Sequence, residues 1–113
     1  MGTILVDKPI SREELKAAAR PYYEAVVKAV VDIERGMAIG GELHADEEKF
    51  LLERDSEEQH LWGNNLFTEL DLPDMVEFDS MINLRPSQNN RSRGVEDAAT
   101  RERIMDIVRS LVS

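Results

Sequence analysis

Apolar and polar positions along the chain change their period several times, and each change marks an element. Thr3 to Asp7 is short and β-branched, as an edge strand would be. Behind Pro9, Ser11 and Glu14 form an S-x-x-E capping box, and Leu15, Ala18, Ala19 and Tyr22 follow at helical spacing. A helix therefore opens at Ser11 and ends or bends at Pro21, where the ring removes a backbone donor. From Val26 to Glu34 the period falls to two, with Val27, Ala29, Val31 and Ile33 on one face and Lys28 and Asp32 on the other. Arg35 and Gly36 turn the chain into Met37 to Leu43, which alternates again, so the two segments form a hairpin.

The second half uses the same signals in another order. Asp46 to Arg54 reads as a short helix whose first turn is acidic, in keeping with the helix dipole, and Asp55 and Ser56 end it. Two strands are expected at His60 to Phe67 and Met75 to Leu84, joined by an acidic loop holding Pro73. In the latter, Val76, Phe78, Ile82 and Leu84 face one way. Ser87 to Gly94 is polar and turn-rich, and Val95 to Val112 reads as a final amphipathic helix. The order (β)αββαββα predicts an α+β fold with a mainly antiparallel sheet of four or five strands and three helices packed on one face. At 113 residues, the whole chain, 1–113, is expected to form a single domain.

Polar side chains on the inner helical faces locate the candidate chemistry. On the last helix, Ile104, Val108 and Leu111 define the buried stripe, and Asp97, Thr100 and Arg101 fall within about 60° of it. Arg101 is expected to be mostly buried and hydrogen-bonded to Asp97, four residues before it, or to the turn from Asn83 to Arg91. On the middle helix, Leu51 shares its face with Glu48, Glu47 and His44. His44, Asp46 and Glu48 are the candidate catalytic set: a histidine acting as general base, oriented by a neighbouring carboxylate. His44 and Glu48 also have the four-residue spacing of a metal pair, with Glu42 and Asp46 beside them, although the second histidine of H-E-x-x-H is missing.

Composition narrows the classes. There is no cysteine, which excludes disulfides, thiolate metal sites and cysteine nucleophiles. The net charge is -9, and residues 42–79 hold thirteen acids against Lys49 and Arg54, while residues 80–113 hold six arginines against four acids. The acidic middle opposes binding to duplex nucleic acid, yet the basic end suits a small anion. Asn83, Arg85, Gln88, Asn90 and Arg91 form an amide- and guanidinium-rich turn ahead of the last helix, whose first N–H groups are anion donors. With Asp97, Arg101 and Trp62 they make up the candidate ligand site, where an oxyanion is expected beside Arg85 and Arg91. No P-loop, G-x-G-x-x-G or G-x-S-x-G is present, and no cofactor is indicated. No apolar run approaches the roughly 20 residues of a membrane span, and the first residues lack the order of a signal peptide, so a cytoplasmic protein is expected.

The strings VVDIERG, GGELHADEE, LWGNN and FDSMINLRPSQNNRSRGVED, with the R-x-x-I helix after them, resemble an uncharacterised family of short prokaryotic proteins known only as a domain of unknown function. The residues that carry the resemblance include Glu42, His44, Asp46, Trp62, Asn83, Arg85, Gln88, Arg91, Asp97 and Arg101. It covers nearly the whole chain but implies no activity, substrate or cofactor. Three functional classes stay open: a small-ligand or oxyanion-binding module, a hydrolytic or transfer enzyme built on His44, and an acidic interaction protein that forms a homodimer or engages a basic partner.

Overall fold

The computed structural model describes residues 2–19 and 25–112. Its elements are β1 (Ile4–Val6), α1 (Arg12–Ala19), β2 (Val26–Asp32), β3 (Gly36–Ile39), α2 (His44–Leu52), β4 (Leu61–Phe67), β5 (Val76–Glu77) and α3 (Ala98–Leu111). Three-residue 3-10 turns lie at Glu58–His60, Met81–Asn83 and Pro86–Gln88. The five strands make one antiparallel sheet in the order β1-β3-β2-β4-β5. The α+β class, the element order and the three helices are as the periodicities predict. Tyr22 and Pro21, expected to extend and then end the first helix, lie outside the described residues.

Alternation within β2 divides the interior in two. Val27, Ala29 and Val31 join Leu15 of α1, Trp62 and Leu66 of β4, and Ile104, Val108 and Leu111 of α3 in the larger core. Val30 points the other way, to Ala38, Leu61 and Leu51 of α2. The helices are thus not all on one face: α1 and α3 cover one side and α2 the other. The reason is visible in α2, whose apolar stripe is too narrow for the large core and whose inner face carries His44 and Glu47 beside Leu51.

Several boundaries differ from the alternation pattern. The strand expected at Met37 to Leu43 stops at Ile39, because Gly40 adopts φ 91° and breaks the extended run, and α2 begins two residues earlier than Asp46. The strand expected from Met75 to Leu84 is only Val76–Glu77. Beyond it the chain bends into the Met81–Asn83 turn, where the Ser80 side chain accepts from the Ile82 N–H. That departure leaves the outer edge of β4 without a strand partner over Leu61 and Gly63. Finally, α3 starts at Ala98 rather than Val95, because the Asp97 carboxylate caps it by accepting from the Thr100 N–H at 2.8 Å.

Side chains fill the vacant edge. The Asn83 amide takes the place of a strand residue: its Oδ1 accepts from the Gly63 N–H at 2.8 Å and its Nδ2 donates to the Gly63 carbonyl at 3.0 Å. Arg85 reaches the next pair of carbonyls, Leu61 and Glu58, with its two terminal nitrogens. Gly63 is needed for this close approach, since a Cβ there would come within 2.5 Å of the Ser80 side chain. Asn90 then closes the turn, donating to the carbonyls of Asn83, Ser92 and Gly94 and accepting from the Glu96 N–H.

Candidate functional site

The amide- and guanidinium-rich turn is built largely from donors that serve the backbone. Asn83 and Asn90 are buried and engaged as above, and Arg85 is 8% exposed, stacked over the Trp62 ring with its Cζ 4.2 Å from the centroid. Burial lowers the Arg85 pKa, against the charges of Glu48 and Glu58. Its Nε and the indole Nε1 of Trp62 are buried without a partner among the described residues. Trp62, Gln88, Asn90 and Asp97 share a cleft of about 410 Å³. Glu96 lines it too, so its rim is acidic, and Asn83, Arg85, Arg91 and Arg101 do not line it.

Arg101 departs from expectation. It is half-buried and donates to the carbonyls of Val95 at 2.7 Å and Glu96 at 3.0 Å, not to the Asp97 carboxylate or the turn. Asp97 is exposed, and its hydrogen bonds from the Thr100 hydroxyl and N–H hold its carboxyl below the usual range. The two residues flank the helix start because Asp97 is its N-cap rather than part of its inner stripe. An Asp97–Arg101 ion pair facing the core is therefore not what closes this end of the fold.

On the opposite side of the sheet lies a cleft of about 250 Å³, lined by Lys28 of β2, Leu43, His44 and Ala45 at the start of α2, Asn65 of β4, and Asp79 to Ile82 with Arg93. His44 is 8% exposed, and its Nε2 lies 2.7 Å from the Asn64 carbonyl oxygen. A carbonyl can only accept, so Nε2 carries the proton and Nδ1 of the neutral ring is left as an acceptor. Nδ1 has no hydrogen-bond partner among the described residues. Burial lowers the His44 pKa, and the charges of Lys28 and Arg93 lower it further, against the Asn64 hydrogen bond and Asp79. The ring is neutral at neutral pH as a result.

The orienting group is thus a backbone carbonyl, not Asp46 or Glu48. Asp46 is exposed, and neither it nor Glu48 lines the cleft. Glu48 is half-buried, and burial, with the charge of Glu58, raises its pKa against the charge of Arg85. The expected grouping of His44 with Glu42, Asp46 and Glu48 as metal ligands does not form: among the described residues no three histidine or acidic side chains come together to hold a metal ion. Helical spacing alone put them four apart, but only His44 and Glu47 turn inward. His44 lines this cleft, and Arg85 and Arg101 line neither it nor the cleft beside Trp62.

Glu47, one turn along α2, has no exposed surface. One carboxyl oxygen accepts from the Gly41 N–H at 3.1 Å and the other has no partner among the described residues. Burial pushes its pKa to about 9, against the Gly41 hydrogen bond and the Lys28 charge. It is a neutral acid at pH 7.

The N-terminus of α2 differs from that of α3 in one decisive respect. Leu43 occupies its N-cap and makes no side-chain hydrogen bond to the helix. A capping carboxylate blocks an incoming anion, whereas a leucine leaves the first N–H groups open. Beside them, Arg93 places its Nε on Asp79 at 2.7 Å, and its terminal nitrogens have no partner among the described residues. Lys28, Leu43, Asn65, Ser80 and Arg93 were not singled out as site residues by sequence. The signal in the sequence was Lys28, the cation on the polar face of β2.

A protein-family profile described as a protein of unknown function (DUF5674) matches residues 4–111. Comparison with curated proteins and comparison with solved structures give no match.

Proposed function

The chain belongs to the DUF5674 family, and we propose that it binds a small anionic ligand that also carries a hydrogen-bond donor, in the cleft at the N-terminus of α2. The observation that carries this reading is the His44 ring, nine-tenths buried, tied at Nε2 and unpaired at Nδ1 on the wall of a cleft that also holds Arg93. A ligand hydroxyl or N–H donating to Nδ1 would complete the ring's hydrogen bonds. An oxyanion would meet the N–H groups of His44 and Ala45 and the terminal nitrogens of Arg93, with Lys28 adding positive potential. The 2-hydroxy carboxylates unite both features, and glycolate is the smallest.

This keeps the class of ligand expected from sequence and moves it across the sheet. The turn from Asn83 to Arg91 is a poorer host, because Asn83, Arg85 and Asn90 already serve backbone groups and the adjoining cleft carries Glu96 and Asp97 with no lysine or arginine in its lining, whereas Asp79 of the α2 cleft is paired with Arg93 and Lys28 lies beside them. The Nδ1 lone pair supports a second reading on the same site, in which His44 accepts a proton from the bound ligand as a general base. Calorimetric titration with glycolate at low salt tests the binding reading. Saturable heat is expected from the native chain, at least tenfold weaker binding from Arg93→Gln, and no change from Arg91→Gln on the far turn. Absence of heat and of any thermal shift at about 10 mM glycolate or phosphate would refute it.

A further inference from the structure

The rim of the cleft carries exposed apolar side chains beside its charged ones. Leu43 and Met81 both line it and stand 54% and 62% exposed, while Ile82 beside them packs on the smaller core. Leu43 sits at a helix N-cap, a position where Ser, Thr, Asp or Asn would stabilise α2 and where an exposed leucine contributes no hydrogen bond. A local rule broken at the mouth of a cleft is a mark of function. Most small-molecule sites also pair a few placed polar groups with an apolar wall. The volume, about 250 Å³, lies just below the roughly 300–1,000 Å³ of most ligand pockets, which suits a small ligand.

Resting on the anion reading of this cleft, we infer that the ligand is amphipathic: a 2-hydroxy carboxylate with a short hydrocarbon chain, its polar end at His44, Ala45 and Arg93 and its chain against Leu43 and Met81. The carboxylate meets the helix N–H groups and the guanidinium, the hydroxyl donates to Nδ1, and the carbon chain removes from water two side chains that the fold leaves uncovered. Leu43 and Met81 select chain length while the helix N–H groups, His44 and Arg93 select the head group.

Calorimetry with acetate, glycolate, 2-hydroxybutanoate and 2-hydroxyhexanoate at constant ionic strength separates the two contributions. Affinity is expected to rise about two- to fourfold per methylene from glycolate onward. In the double variant Leu43→Ala with Met81→Ala, which trims both side chains without adding a capping group, most of that gain should vanish, with glycolate bound as in the native chain; both positions are exposed, and circular dichroism confirms that the variant is folded. If glycolate binds but longer chains bind no tighter, the amphipathic ligand is ruled out and the anion site stands. Chain-length gain that survives in the double variant also rules out the rim. If neither glycolate nor any longer acid binds, both readings fall together.

Discussion

Two residues of α2 hold stability in check for the sake of their positions. Leu43 gives up a cap, so Leu43→Ser should stabilise the protein by about 1 kcal/mol through a hydrogen bond to the first turn, even as it weakens binding of a chain-bearing ligand. Urea denaturation checks this, and an unchanged or lower midpoint would mean that the leucine stabilises the fold by contacts of its own. Glu47 is the second case. Its pKa rises from the ordinary 4.5 to about 9 on folding, so the folded state binds more protons than the unfolded state between those values, and stability falls as pH rises through that window. His44, whose pKa is lowered from 6.5, acts with the opposite sign at lower pH, where the unfolded state is the one that takes up the proton. The interval from pH 7 to 8.5 isolates Glu47. There the native chain should lose roughly 1–2 kcal/mol, and Glu47→Gln should flatten the slope and be the more stable protein at pH 8.5. Parallel stability curves for the two proteins would place the carboxyl in a wetter setting.

At the scale of elements, β4 is completed by side chains instead of by a neighbouring strand. Asn83→Ala removes both bonds to Gly63 and leaves a buried N–H without an acceptor, so it should destabilise by about 2–3 kcal/mol. Hydrogen exchange at the Gly63 amide should quicken with it, and a cost below about 0.5 kcal/mol would show that water takes over the edge. The substitution of side chain for strand also explains what the sequence could and could not show. Alternation of Val27, Ala29 and Val31 marks β2 because one face is buried along its length. The run Val76, Phe78, Ile82, Leu84 has apolar residues at similar spacing, but Ser80 must press against Gly63, and the chain bends there for a contact with no signature in periodicity. Likewise the S-x-x-E box correctly opens α1, with reciprocal bonds of 3.1 Å between Ser11 and Glu14, because that contact is local. His44 was legible as an inward residue from helical angle, whereas its partner, the Asn64 carbonyl, is twenty residues away and depends on which face α2 covers. Arg93 was visible only as one of several arginines.

Across the whole molecule the two sides of the sheet have different work. The α1–α3 side holds the large core, from Leu15 to Leu111, and the α2 side holds only Val30, Ala38, Leu51 and Leu61 with their neighbours. The cleft lies on the thinner side, where charged and apolar groups can be changed without opening the main core. Arg93, half-exposed and paired with Asp79, should therefore be replaceable by Gln at a stability cost within about 0.5–1 kcal/mol while glycolate binds at least tenfold more weakly; a large stability loss would mean that the ion pair fastens the loop instead. The most direct test of the account is the ring of His44 itself, observed by nitrogen NMR during a glycolate titration at pH 7. The free protein should show the tautomer with its proton on Nε2, and glycolate should shift the Nδ1 resonance saturably in the native chain but not in Arg93→Gln. An Nδ1 resonance that stays fixed up to about 10 mM glycolate would contradict the assignment of this cleft as the ligand site.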